Sequence, residues 1–244
     1  MKKSLFFVLC SLFIAFVSDS ANAEFDTNAR SAYLIDPASN AAIVDKDSDE
    51  LMPPSSMLKM MTLAVVFDAI QAGNLKMTDQ MSVSQNADYK NPNWKTASKI
   101  CLESGQKISV SDAIMGTIVM SGGDAAVVLA EKLGGSESNF TAMMLKRARA
   151  IGMPKSTFGN ATGLPSPDNL MTSRELATLA EYLITAHADL YPLFATRRFE
   201  FKGYQNEWCR TWGAQHTTNY NKLLFIMPGA DGLKTGHTDN GGYA

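Results

Sequence analysis

The chain has 244 residues, 45% of them hydrophobic and 19% charged, with a formal net charge of −2. That composition can bury one sizeable core, and the near-neutral balance, with no strongly basic segment, excludes a nucleic-acid partner. There is no His-Glu-x-x-His and no cysteine spacing suited to zinc, so neither a metal site nor another cofactor is expected.

The N-terminus reads as a secretory signal peptide over residues 1–23. Lys2 and Lys3 form its basic region, Leu5 to Val17 its apolar stretch, and Ala21-Asn22-Ala23 its small-residue cleavage site. The apolar stretch is short for a bilayer span, which needs about 20 residues. The mature chain, 24–244, is therefore expected outside the inner membrane, in the periplasm. Cys101 and Cys209 remain after cleavage, either as one disulfide or as two buried thiols.

Ala32 to Asp36 and Ala41 to Val44 flank the turn-forming Pro37-Ala38-Ser39-Asn40, which predicts a β-hairpin. Ser56 to Ala72 predicts a helix that is apolar nearly all round and hence buried, with a serine capping its start and Gly73 its end. Residues 82–107 are polar and read as a loop, a candidate lid over a cleft. Helices are predicted over Ser111 to Met120, over Ala125 to Leu133 with Asp124 as cap, and over Ser136 to Ile151. Thr172-Ser173-Arg174-Glu175 is a capping box opening a helix to about Ala186. Arg198 to Lys202, Leu223 to Met227 and Leu233 to Thr235 read as strands. The order implies an α+β (α/β) architecture, with a helical subdomain inserted into a sheet built from both ends of the chain.

Three short segments carry chemistry. Ser56 and Lys59 stand one helical turn apart, on one face, so an amine can reach a hydroxyl and act as its base if burial or a second cation lowers its pKa. A second Ser-x-x-Lys, Ser104 to Lys107, contains a glycine and reads as turn into strand, where the side chains need not meet. Ser121 lies in the helix-breaking Ser121-Gly122-Gly123-Asp124, and Lys234-Thr235-Gly236-His237 follows Asp231-Gly232-Leu233. Each has a plainer reading: Ser56 as a helix cap, Ser121 as a polar helix stop, Lys234 as a solvated strand lysine.

All three segments, in this order, resemble the signatures of serine penicillin-recognising enzymes. From about Asn28 onward the chain resembles the low-molecular-mass penicillin-binding proteins that are D-alanyl-D-alanine carboxypeptidases. Asn160-Ala161-Thr162-Gly163-Leu164 and Asn219 to Leu224 add to the likeness. The resemblance implies a serine β-lactamase/transpeptidase-like fold and removal of the terminal D-alanine from the peptidoglycan pentapeptide, with β-lactam antibiotics as covalent inhibitors. It implies that Ser56 is the nucleophile, Lys59 its base and Ser121 a proton relay. Lys234 and Thr235 would bind the substrate carboxylate, with Lys234 also keeping Lys59 neutral. The backbone amides of Ser56 and His237, beside Gly236, would form an oxyanion hole.

The chain departs from the family pattern twice. Glycine 123 stands where the resemblance implies an asparagine whose amide bonds the substrate. Its loss, at about 1–3 kcal/mol, implies altered turnover, with a water or a shifted Asp124 in its place. Restoring asparagine is then expected to raise the rate. The sequence also ends just after the third motif, so the C-terminal strands are expected to be missing, and peripheral inner-membrane association would run only through a missing C-terminal segment. Rival readings are a non-catalytic cell-wall peptide binder, a cross-link endopeptidase and a β-lactamase. The last lacks a Glu-x-x-x-Asn element between the second and third motifs, and no Gly-x-Ser-x-Gly supports a Ser-His-Asp hydrolase.

Overall fold

A computed structural model describes residues 27–244. The expected signal peptide lies outside the described residues. The first hairpin forms where turn chemistry allows it: the Asp36 carboxylate accepts from the Ala38 amide (3.0 Å) and the Ser39 hydroxyl (2.6 Å), and Asn40 takes φ +56°. It joins antiparallel β1 (Ala32–Asp36) and β2 (Ala41–Lys46), with Leu34 opposite Val44.

A 3₁₀ turn over Ser55–Leu58 leads into α1 (Lys59–Gln71), whose residues from Lys59 to Phe67 are all buried. A helix apolar on every side must be wrapped by other elements. It ends as a Schellman motif: Gly73, at φ +75°, donates to Ile70 O and Asn74 donates to Ala69 O, both at 2.9 Å.

Residues 82–107 are not a free lid. They run between β3 (Gln80–Ser82) and β4 (Lys107–Ser109), which pair antiparallel, and they bury Trp94, Ile100 and Leu102 in the core. The second Ser-x-x-Lys is split as its glycine predicts: Lys107 Nζ donates to Ser82 Oγ at 2.6 Å, across the ladder.

Helix α2 (Val110–Val119) is capped by Ser109, which accepts from Asp112 N. Helix α3 (Gly123–Gly134) differs from expectation at its start. Gly122 is the cap, and Asp124 turns inward to accept from Ile100 N (2.9 Å) and Leu102 N (3.1 Å). Helix α4 (Glu137–Ala150) is capped by Ser136, and its Arg147 pairs with Asp68 of α1 at 2.6 Å. Helix α5 (Ser173–Ala186) has only half of a capping box. Thr172 accepts from Glu175 N at 3.0 Å, whereas the Glu175 carboxylate takes the amides of Lys155 and Ser156, both at 2.7 Å. Helices α3, α4 and α5 all pack on α1, and α5 also covers β1.

The C-terminal third departs most from the sequence reading. Helix α6 (Glu207–Gln215) was not predicted; Asn206 caps it through Cys209 N at 2.8 Å. Arg198 to Lys202 contributes only an isolated bridge, Arg198 to Thr218. Leu223 to Met227 is no strand, because Asn221 Oδ1 accepts from Leu223 N (3.1 Å) and starts the single turn α7 (Leu223–Ile226). The last ladder pairs β5 (His237–Thr238) with β6 (Gly242–Tyr243), just beyond the expected Leu233 to Thr235. The sheets among the described residues are thus three separate antiparallel pairs.

Cys101 and Cys209 form a disulfide that ties α6 to the loop before β4 and closes a separation of 108 residues. A cross-link over a loop of that length restricts the unfolded chain strongly. Replacing both cysteines by serine is expected to lower the unfolding free energy by about 2–4 kcal/mol. Urea unfolding of the oxidised protein and the double variant measures it; equal midpoints would contradict it.

Candidate active site

Three backbone segments meet around Ser56. The chain enters through Pro53-Pro54, and Ser55 takes φ +51° to start the 3₁₀ turn. Ser55 Oγ bonds Thr238 Oγ1 at 2.7 Å, fastening this turn to β5. Two glycines allow the approach. A Cβ on Gly236 would lie 3.0 Å from Pro54 O, and one on Gly163 (φ +76°) would lie 1.8 Å from Ser55 O.

Ser56 caps no helix: neither the 3₁₀ turn nor α1 has a side-chain cap. Its Oγ instead receives a hydrogen bond from Lys59 Nζ at 2.9 Å. Lys59 is buried, and its amine also donates to Thr162 O at 2.6 Å. That carbonyl is aimed by Asn160, whose Oδ1 accepts from the amides of Thr162 (3.0 Å) and Gly163 (2.8 Å). In the sequence Asn160 and Thr162 stand out only as part of the family likeness. The signal for their role was the Asn-x-Thr-Gly turn chemistry.

Burial, and then the positive charge of Lys234, hold the Lys59 amine well below the usual lysine range; Asp124 opposes this. Burial lowers Lys234 to about 7. Lys234 is buried next to the cleft residue Thr235, with Nζ donating to Thr235 O at 2.8 Å, and its charge acts on Lys59.

Ser121 follows α2 in a left-handed conformation, φ +54°, that only a constrained site sustains in a non-glycine residue. The next two amides hold it there: Gly122 N donates to Gly116 O and Gly123 N to Ser98 O, both at 2.9 Å. The Ser121 hydroxyl is buried and has no hydrogen-bond partner among the described residues. An orphaned donor in a cleft wall calls for a functional explanation, which a mere helix stop would not supply.

Ser56, Lys59, Ser121, Thr235, Gly236 and His237 line one cleft of about 900 Å³. In the last ladder Gly236 and Ala244 exchange both N–H···O bonds (2.8 and 2.9 Å), so the next pair, His237 and Tyr243, is the non-bonded kind. The His237 amide therefore points away from β6, off the edge that packs on the Ser55–Leu58 turn. The imidazole stacks on Tyr243 at 4.0 Å.

At Gly123 the expected shift of Asp124 into the space does not occur. Asp124 faces inward, and a Cβ on Gly123 would meet Trp94 Cζ3 at 2.5 Å. Asparagine at 123 therefore needs the Trp94 ring to move.

The sequence profile of the D-alanyl-D-alanine carboxypeptidase family matches residues 17–244. The chain is 30% identical to D-alanyl-D-alanine carboxypeptidase DacF of Bacillus subtilis (strain 168), over all of this chain and 61% of that protein. Penicillin binding protein 5 of Haemophilus influenzae superposes with a TM-score of 0.79 at 30% identity, over 88% of this chain and 59% of that one. The ampicillin-bound form of Penicillin-Binding Protein D2 from Listeria monocytogenes superposes with a TM-score of 0.71 at 26% identity, over 88% and 81% of the two chains. The fold is thus that of the penicillin-binding proteins. The chain spans about three fifths of the length of the Bacillus relative.

The close approach at Gly163 predicts that Gly163→Ala displaces the Ser56 turn. It should destabilise the protein by more than about 1 kcal/mol, because alanine at positive φ adds strain to the overlap with Ser55 O. Thermal unfolding measures the effect; an unchanged transition would count against it.

Proposed function

The chain belongs to the D-alanyl-D-alanine carboxypeptidase family, and on that premise we propose that it removes the terminal D-alanine from peptidoglycan stem peptides through an acyl-enzyme on Ser56. The observation that carries the reading is the 2.9 Å contact between Lys59 Nζ and Ser56 Oγ, made by an amine whose pKa is lowered. A neutral Lys59 amine donates to Thr162 O and keeps a lone pair for the serine proton. The freed alkoxide attacks the carbonyl between the two terminal D-alanines. The amides of Ser56 and His237 face the oxygen that becomes negative, a kind of contact worth roughly 2.7–4 kcal/mol per donor elsewhere.

Ser121, with an unclaimed hydroxyl, passes the proton to the departing amine, and water then hydrolyses the ester. Thr235 meets the substrate's carboxylate, and the charge of the neighbouring Lys234 attracts it. β-Lactams acylate Ser56 as substrate analogues, a reading supported by the ampicillin-bound form of the Listeria relative. A peptidoglycan substrate implies an exported protein, acting in the periplasm; the leader read in residues 1–23 supports that reading. The β-lactamase reading has less support, since no glutamate is among the described residues lining the cleft.

Intact-mass spectrometry after exposure to benzylpenicillin should show one covalent adduct on the protein and none on Ser56→Ala. The wild type should also release D-alanine from a pentapeptide. An unmodified wild type would favour a non-catalytic binder.

The pH dependence has a definite sign. Lys234 carries its charge below about pH 7 and loses it above. Its attraction for an anionic substrate end therefore fades as pH rises, giving kcat/KM an alkaline limb that begins near neutrality. Arginine stays charged, so Lys234→Arg should move that limb upward while the acid limb, which reports Lys59, persists. An alkaline limb unmoved by the substitution would assign it to another group.

A further inference from the structure

We propose that Trp94 is a specificity-determining residue of this cleft: its indole fills the volume above Gly123 and fixes the size of acyl group accepted beside Ser121. The inference rests on the acyl-enzyme reading above and adds to it the wall that selects the acyl group.

Trp94 is held at its ring and at its backbone. Trp94 closes the 3₁₀ turn Pro92–Trp94, its Nε1 donates to Asn86 O at 2.8 Å, and its carbonyl accepts from Lys99 Nζ at 2.7 Å. The Lys99 ammonium in turn sits 5.3 Å over the Trp212 ring on α6. With 2% of its surface exposed, Trp94 is a fixed, packed limit to the space beside Gly123 and not a swinging flap.

Trp94 and position 123 form one feature. A Cβ at 123 would lie 2.5 Å from Cζ3 and 3.2 Å from Cη2, so the ring uses space that any side chain there would need. Gly123 N also donates to Ser98 O at 2.9 Å, which ties the backbone of the two wall segments together. Both residues line the same cleft as Ser56 and Ser121. Two residues beyond Ser121 the cleft therefore presents an aromatic edge and no polar side chain. A ligand there meets a steric limit, with no side-chain amide to bond. The substrate carboxylate is drawn to Thr235, on a different segment, which leaves the Trp94 wall to the acyl side.

The test compares acylation rates for two penicillins that differ only in the acyl side chain: benzylpenicillin, the phenylacetamido compound, and its acetamido analogue, which lacks the phenyl ring. Trp94→Ala should change the ratio of the two rates by about tenfold, the scale of a lost pocket contact. Trp94→Phe should shift it the same way by less, and it carries the test if the alanine variant fails to fold. Gly123→Asn alone should acylate at least about tenfold more slowly than wild type, and the pair Trp94→Ala/Gly123→Asn should recover much of that loss, because the ring and the added side chain compete for one space. A ratio unchanged in the folded Trp94 variants, or a Gly123→Asn protein acylated like wild type, would overturn the proposal while leaving the acyl-enzyme reading intact. Absence of acylation in the wild type would overturn both.

Discussion

The site depends on one buried amine. Lys59 sits at the first position of α1 with its Nζ between Ser56 Oγ and Thr162 O. An ammonium is costly in such a place, so burial itself favours the neutral form, and the charge of Lys234 adds to the effect. Much of the local architecture serves that placement. Gly163 lets one loop touch the Ser55 carbonyl, Gly236 lets β5 lie against Pro54 O, and Asn160 aims the carbonyl that holds the amine. A side chain at either glycine would push apart groups whose chemistry needs contact.

Such a site is locally unfavourable. It gathers two buried lysines, a hydroxyl without a partner among the described residues, and two serines in left-handed conformations. Each of these features costs free energy in isolation. The surrounding core offsets them: α1 is buried along most of its length, and α3, α4 and α5 close around it. The strained groups sit at helix starts and in loops, where the packed helices fix their positions without sharing their strain.

The far wall of the cleft comes from a segment with little regular structure. Between β3 and β4 the chain is held by point attachments. The Asp124 carboxylate takes the amides of Ile100 and Leu102, Cys101 is bonded to Cys209, and the Trp94 indole lies against Gly123. Burial raises the pKa of Asp124 despite the amides it accepts, so this anchor is itself a compromise between desolvation and hydrogen bonding. A polar stretch reads as a lid from its composition, yet here it is part of the packed body.

The sequence by itself determined the features that lie within a few residues of one another. The hairpin, helices α1 to α5 and the facing of Ser56 and Lys59 follow from periodicity, turn residues and the rise of a helix, and each can be read in a short window. The motif order also carried the family. Only the tertiary structure decided what depends on distant segments meeting. Examples are the disulfide that recruits α6, the burial of Lys234 where its charge acts on Lys59, the carbonyl of Thr162 on the Lys59 amine, and the ring of Trp94 over Gly123. No local pattern encodes these, because whether a side chain fits, or an amine loses its proton, is set by the volume and charge that other parts of the chain bring to it.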